Sequence, residues 1–511
     1  MNFGTDLLRE ALVAAPDATA LVCGDQRWSF AELDQQAGRI AAALAGCGVR
    51  RGDRVATVME SRPEYVATLL GCARIGAIFT TVHLEFRTGE MRYIVESSEP
   101  SCLVVDATGA GALEAAGVDA GATAAVLSLG GSLDDAMASA PDVPVEEMAP
   151  EDPVLILYTS GTVAKPKAVL GSHGAELWSA EAHRRVWGFE PGDGVLVPLT
   201  LAWAYGLMTV TASALTGGAK VVLLPQFHPR AMGQTIEAEE VSRIFGVTTM
   251  FVMLSNYWRE RDDVPDMSSV RFVLSSGERR DEPAFAWLTE RCAATGVYDA
   301  YAMSEVRPVT TYDPRVEAGP VGASVGRLVE GVELRLVRED GEEAAPGEPG
   351  EAWLRSPGML SGYFRQPEIT ASRLTPEGWF KTGDFLSMNP DGYCWFVSRS
   401  TDLIRRAGSN VSPLEVQNTL AEHPLVEDVA VAAVPDDTYG EAVGAVVVLS
   451  GPAGEGEDVR ELLRRHTAER LAEYKVPSVV LVMSEIPRRA NGKFDRKRIS
   501  TLLASAREER A

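Results

Sequence analysis

The sequence predicts an α/β protein: largely parallel sheets with helices, a small β-rich or barrel-like subdomain after them, and a compact α+β unit at the C-terminal end. Three observations carry this. Over the first two-thirds of the 511 residues, short apolar runs alternate with amphipathic stretches; after residue 318 the runs become β-rich; and from about residue 402 helices and strands alternate within a domain-sized segment. Alternation of the first kind places helices between parallel strands.

In chain order, LVVDA (103–107), an Ala/Gly-rich helical stretch and AAVLSL (124–129) read as strand, helix, strand. Segment 107–140 is biased in composition but periodic, which predicts surface helix. KVVLLP (220–225), a helical MGQTIEAEEVSRIF and a strand VTTMFVML (247–254) repeat the rhythm, and VRFVLSSG (270–277) adds a strand. Further on, VELRLVRED, GEAWLR and GYCWFVS are strand-like and are punctuated by turn dipeptides, Asp340 with Gly341 and Asp391 with Gly392. The last segment reads as SPLEVQNTLAEH (helix), VEDVAVAAVP and GEAVGAVVVLS (strands), VRELLRRHTAERL (helix) and VPSVVLVM (strand). A hinge is predicted near 399–401, dividing a large domain, 1–399, from a small one, 402–511.

Bulk properties narrow the function. A hydrophobic content of 46% with 23% charged residues is ordinary for a globular protein. The net charge of -24 argues against nucleic acid as the main partner, because phosphate backbones are met by clustered Lys and Arg. Cys23, Cys47, Cys72, Cys102, Cys292 and Cys394 never stand as C-x-x-C, so buried thiols in a reducing compartment are expected, without a disulfide frame or zinc site. The start MNFGTDLLREAL lacks the pattern of a signal peptide, and no run of 18 apolar residues predicts a membrane span. A cytoplasmic enzyme is the expectation.

The most informative segment is VLILYTSGTVAKPKAV (154–169). An apolar strand runs into hydroxyl residues, a glycine and two lysines, the donor types a triphosphate needs. It is not a Walker A loop, because Pro166 stands five residues past Gly161. Taken alone, a polar turn between strands would explain it as well.

The order of residues in YTSGTVAKPKAV resembles the phosphate loop of the acyl-adenylate-forming superfamily, which includes the AMP-dependent acyl-CoA synthetases and ligases. YAMSEV (301–306), SSGERR (275–280), WFKTGDF (379–385), SRSTDLIRRAGSNVSPLEVQ (398–417) and IPRRANGKFDRKRI (486–499) resemble further segments of that family in the family's order. The resemblance spans about 20–500. It implies a large domain of stacked sheets with a small mobile C-terminal domain, and a two-step reaction. ATP first converts a carboxylic acid to an acyl-adenylate, and a thiol, that of coenzyme A, then takes the acyl group.

By the same resemblance, Thr159, Ser160, Gly161, Thr162 and Lys167 hold phosphates, with Thr162 also catalytic. Gly277, Asp299, Ala300 and Tyr301 surround the adenine, and Ser304 approaches the α-phosphate. Glu305 holds Mg²⁺, since a carboxylate beside a triphosphate requires a cation between them. Asp384 takes the ribose hydroxyls, and Arg399 contacts ribose and phosphate. Gly408 lines the pantetheine path once the small domain has rotated, and Lys493 is the adenylation lysine. Each has an ordinary alternative, a solvated Glu or a basic surface run.

Val163, Ala164 and Ala168 replace the family's Thr, Gly and Gly in the phosphate loop, Ala302 replaces a Gly, Ser398 stands where Gly precedes the Arg, and Thr401 stands at the hinge position. Alanine at a positive φ would cost about 1 kcal/mol. The segment PLTLAWAYGLM (198–208) resembles benzoate-type CoA ligases, so Trp203 and Tyr205, with Trp178, Gly277 and Arg307, are candidates for a pocket holding an aryl or arylacrylic acid. Arg279 or Arg280 could meet a second polar group on that acid. Other acceptors stay open: a carrier-protein pantetheine, an amine or nitrite. So do a non-catalytic nucleotide-binding relative and a homodimer.

Overall fold

The computed structural model describes residues 1–86, 88–159, 166–277, 280–314, 324–400, 402–406, 409–436, 438, 440–451, 458–488 and 494–508. The packing separates two compact units: Met1–Leu334 with Leu354–Phe380, and Arg335–Trp353 with Lys381–Ala511. The boundary predicted at 399–402 lies inside the second unit. None of the described helices is long and apolar enough to cross a membrane.

The first unit contains two sheets. In one, the neighbours run Gly362–Tyr363, Lys167–Ser172, Pro153–Thr159, Ile78–Thr81, Arg54–Val58, Cys102–Val105, Ala125–Ser128. Its pairs from Pro153–Thr159 outward to Ala125–Ser128 are parallel, and all of these strands but the outermost, Ala125–Ser128, are largely buried on both faces, as the continuous apolar runs predict. The edge is different. Lys167–Ser172 returns antiparallel along Pro153–Thr159, with Lys167 opposite Thr159.

The other sheet places Val297–Met303, Phe272–Ser276, Arg243–Gly246, Gly194–Val197, Lys220–Leu223 and Thr19–Cys23 side by side in parallel. Val306–Tyr312 then runs antiparallel to Val297–Met303, and Gly326–Leu328 pairs antiparallel on its other side. One sequence expectation fails here: VTTMFVML is not a strand. The strand is Arg243–Gly246, at the end of the stretch read as helix, and Thr248–Arg259 is a helix. It buries Phe251, Leu254, Ser255 and Trp258, a period near 3.6 that eight β-branched and apolar residues conceal and twelve reveal.

In the second unit, Phe380–Met388 and Tyr393–Arg399 pair antiparallel, and Gly383 (φ 74°) and Gly392 (φ 83°) take left-handed turns that side chains disfavour. The C-terminal elements match the sequence reading: helices Pro413–Ala421 and Val459–Ala468, strands Val426–Asp436, Gly440–Leu449 and Val479–Val482. Ser412 and Asp458 cap the two helices through their side-chain oxygens.

A buried charge network locks the second sheet of the first unit. Arg243 donates Nε to Asp193 at 2.6 Å and its terminal nitrogens to the Trp187 and Gly188 carbonyls at 2.7 Å each. Asp193, whose side chain is wholly buried, also accepts from Ser242 and Arg271. Asp193→Ala would strand the Arg243 guanidinium without its carboxylate. Chemical denaturation is expected to show about 3–5 kcal/mol lost from this unit, and Asp193→Asn a smaller loss.

Candidate active site

The two antiparallel edges of the first unit carry the predicted phosphate residues. Thr159 ends one strand and Lys167 begins its partner, opposite each other. Ser160, Gly161 and Thr162, with Val163 and Ala164, lie between them and outside the described residues. Ala168 does not strain the chain. It sits in the strand, buried, and its carbonyl accepts from the Phe364 N–H at 2.8 Å. The described non-glycine residues with positive φ are Glu99, Glu240 and Arg365, so Ala168 needs no glycine.

At the other edge Met303 pairs with Val306, which makes Ser304 and Glu305 the two residues of a hairpin turn. The Glu305 carbonyl accepts from the Leu360 N–H at 2.8 Å, and its Oε1 accepts from the Tyr363 hydroxyl at 2.9 Å. Burial, reinforced by the Glu305 charge, pushes the Tyr363 phenol well up, so it remains a donor. The Lys167 ammonium lies 5.7 Å from the centre of the Tyr363 ring. Tyr363 was not among the residues singled out from sequence. Its signal is the Gly-Tyr pair in GMLSGYF, which says nothing until that pair is seen as a strand between Glu305 and the phosphate hairpin.

Neighbouring strand ends supply the predicted adenine residues. Ser275 pairs with Asp299 and Ser276 with Ala300, and Gly277 leaves the strand at φ 83°, with open space where a side chain would be. The Ser276 hydroxyl donates to the Ala300 carbonyl at 2.6 Å, and the Tyr301 N–H donates to the Thr310 hydroxyl at 3.3 Å. Asp299 is buried and its Oδ1 accepts from the Ala300 N–H at 2.7 Å.

The pocket candidates divide. Tyr205 opens a π-helix, Tyr205–Ala212, and donates its hydroxyl to the Gly246 carbonyl at 3.2 Å. Trp203 stacks on His83, ring centres 5.0 Å apart at 28°. Trp178 packs on Gly331 and Gly358. Arg307 departs from expectation: it is buried, paired with Glu176, and donates Nη1 to the Ser304 carbonyl at 2.5 Å. That guanidinium is directed at the protein itself. Arg280 is engaged by Glu282 (3.0 Å) and the Val297 carbonyl (3.3 Å), while Arg279 lies outside the described residues.

In the second unit, Asp384 stands opposite Arg399 across the strand pair, with Arg399 Nε 3.2 Å from its carboxylate. The Thr382 hydroxyl accepts from the Asp384 N–H at 2.9 Å, and Glu351 accepts from the Gly383 N–H at 3.0 Å, so the T-G-D turn is fixed by its own neighbours. Gly408 and Lys493 lie outside the described residues. Arg488 and Phe494, on either side of Lys493 in the sequence, form an antiparallel bridge.

Burial lifts the Asp299 carboxyl from its ordinary 3.8 to about 7, against the partial opposition of Arg280. The folded chain therefore holds a proton there that the unfolded chain releases, and stability falls as pH rises from about 4 to about 7, then levels. Asp299→Asn, uncharged throughout, is expected to flatten that decline in melting temperature measured against pH.

Comparison with known proteins bears on the same regions. Residues 8–364 match the AMP-binding enzyme family, and residues 415–493 match the AMP-binding enzyme C-terminal domain. The chain is 34% identical to a feruloyl-CoA synthase from Amycolatopsis sp, over 94% of this chain and 95% of that protein. It is 32% identical to an indoleacetate–CoA ligase from Aromatoleum aromaticum, over 96% of each. The crystal structure of ATP-bound MatB from Rhodopseudomonas palustris superposes with a TM-score of 0.87 at 26% identity, covering 99% of both chains. The strand pair around 159–167, the Ser304 and Glu305 turn and the matching C-terminal segment thus sit in a chain that belongs to the AMP-binding enzyme family.

Proposed function

We propose that the protein is an AMP-forming carboxylic acid–CoA ligase acting on an aryl or arylacrylic acid. The observation that carries this reading is the Ser304 and Glu305 turn, tied through Tyr363 to Lys167–Ser172, the strand that follows the proposed phosphate loop. Relatives named for ferulate and indoleacetate support an aromatic acid, as do Trp203 and Tyr205 on the segment proposed as the pocket wall.

In the first step the acid's carboxylate oxygen attacks the α-phosphorus of ATP, the bond to the bridging oxygen breaks, and pyrophosphate leaves. Thr159, Ser160, Gly161, Thr162 and Lys167 hold the triphosphate through hydroxyl, N–H and ammonium donors. Lys493 meets the negative charge that builds on the α-phosphate. Asp299, Ala300, Tyr301 and Gly277 enclose the adenine, Ser304 approaches the α-phosphate, Asp384 accepts from the ribose hydroxyls and Arg399 contacts ribose and phosphate. In the second step the CoA thiolate attacks the acyl carbonyl and AMP departs, with Gly408 lining the thiol's path. One active site serves both steps, which requires gating: the small domain, 402–511, turns relative to the large one, 1–399, about the proposed hinge near 399–401.

Glu305 fits a magnesium site of the kind built on one carboxylate plus substrate phosphates. Among the described residues no group of three or more His, Cys, Asp or Glu offers a cage of its own, and Glu305 has one oxygen held by Tyr363 and a second to give. When bound, magnesium neutralises triphosphate charge.

Acid-dependent exchange of labelled pyrophosphate into ATP, run with cinnamates, arylacetates, benzoates and medium-chain acids, tests the reading. Exchange should be strongest with an aromatic acid and lost in Lys493→Ala. If none of the acids supports exchange, a non-catalytic relative is left. Thioester formed with free CoA, against amide or carrier-bound product, identifies the acceptor. Tyr363→Phe removes one hydrogen bond to a charged group, so kcat/KM for MgATP should drop about tenfold with an unchanged circular-dichroism spectrum.

A further inference from the structure

Arg307 and Glu176 form an ion pair that the reaction above leaves without a task. Both are almost wholly buried, at 3% and 4% exposure. Glu176 stands in the first turn of the helix His173–Trp187, directly after the strand that returns from the phosphate loop. Its carboxylate lies against the backbone of that strand: a side-chain carbon added to Gly171 would sit 2.1 Å from Glu176 Oε1. On the other side Arg307 donates one terminal nitrogen to Glu176 and the other to the Ser304 carbonyl. The Arg307 backbone passes close to Gly358, where an added carbon would meet its carbonyl at 2.5 Å and the Trp178 ring at 2.7 Å. The guanidinium is thus enclosed between the exit strand of the phosphate hairpin, the helix after it and the 304–305 turn.

A buried ion pair of this kind is seldom more stabilising than well-packed apolar residues of the same size, because both charges must be taken out of water. Its geometry is what distinguishes it. A planar guanidinium holds two acceptors at a fixed angle, which an ammonium does not. We propose that Arg307, oriented by Glu176, is a positioning residue. It fixes the Ser304 carbonyl, and with it the direction of the adjoining Glu305 carboxylate, relative to the phosphate-loop hairpin. The pair touches no substrate. It acts on MgATP through the turn. This rests on the reading of Ser304 and Glu305 as triphosphate residues.

The double variant Glu176→Met/Arg307→Met tests it, since replacing both charges leaves neither one unpaired in the interior. The full-length protein should melt near the wild-type temperature, with KM for the acid unchanged. KM for MgATP, and the magnesium concentration giving half-maximal rate, should rise and kcat should fall, in total about tenfold to a hundredfold in kcat/KM for MgATP. Arg307→Lys, which keeps the charge and loses the fork, should recover only part of that loss. Wild-type MgATP and magnesium dependence in the double variant would overturn the proposal. A shift confined to the KM of the acid would also overturn it, and would return Arg307 to the acid pocket. Glu305→Gln serves as the control: if it too leaves magnesium dependence untouched, the underlying reading of the turn fails instead.

Discussion

Backbone hydrogen bonds along residues 359–364 join the edges of the two sheets in the first unit. Met359 bridges Val306, the Leu360 N–H donates to the Glu305 carbonyl, the Ser361 and Phe364 N–H groups donate to Leu170 and Ala168, and Tyr363 reaches Glu305 with its hydroxyl. Parallel sheets normally end in separate loops. Here the parallel strands of each sheet are followed by an antiparallel strand, and one short extended run pairs with Lys167–Ser172 and bonds to the turn before Val306–Tyr312. The 304–305 turn and the strand Lys167–Ser172 consequently cannot move independently without breaking several backbone bonds at once. Fixed donors and a fixed carboxylate need little reorganisation when charge shifts during phosphoryl chemistry.

Two buried arginines show how differently one residue type is used. Arg243 is surrounded by carbonyls, Asp193 and the Phe189 and Phe272 rings, and its strand neighbours bear none of the proposed nucleotide contacts. Arg307 stands two positions past Glu305, with its acceptors on the turn itself and on the helix that follows the phosphate hairpin. The first knits strands together. The second sits where a small displacement would be felt by a ligand.

Much of this was legible in the sequence, and the failures have physical causes. The sequence singles out YTSGTVAKPKAV and the Y-A-M-S-E-V turn because the chemistry proposed for them is compressed into adjacent residues, and the C-terminal elements were readable because their apolar periods are clean. Thr248–Arg259 was not, since Val247, the threonines and Phe251 favour a strand locally and only burial over three turns makes the helix. Tyr363 was invisible because its partner lies 58 positions away. The pairing of Arg307 was invisible for the same reason: Glu176 lies 131 positions distant, and no local pattern announces a buried pair.

The π-helix Tyr205–Ala212 has a consequence for how such a protein diversifies. A π-turn holds one residue more than an α-turn, so it behaves as an insertion that the fold has absorbed. Losing that residue would restore the tighter coil and rotate everything on its N-terminal side by about 100° about the helix axis. Trp203 and Tyr205 would then face elsewhere, while the strands and turns proposed to hold the nucleotide keep their register. Changes of length at this one coil, more than exchanges of side chain, offer descendants of this chain a route to a differently shaped wall.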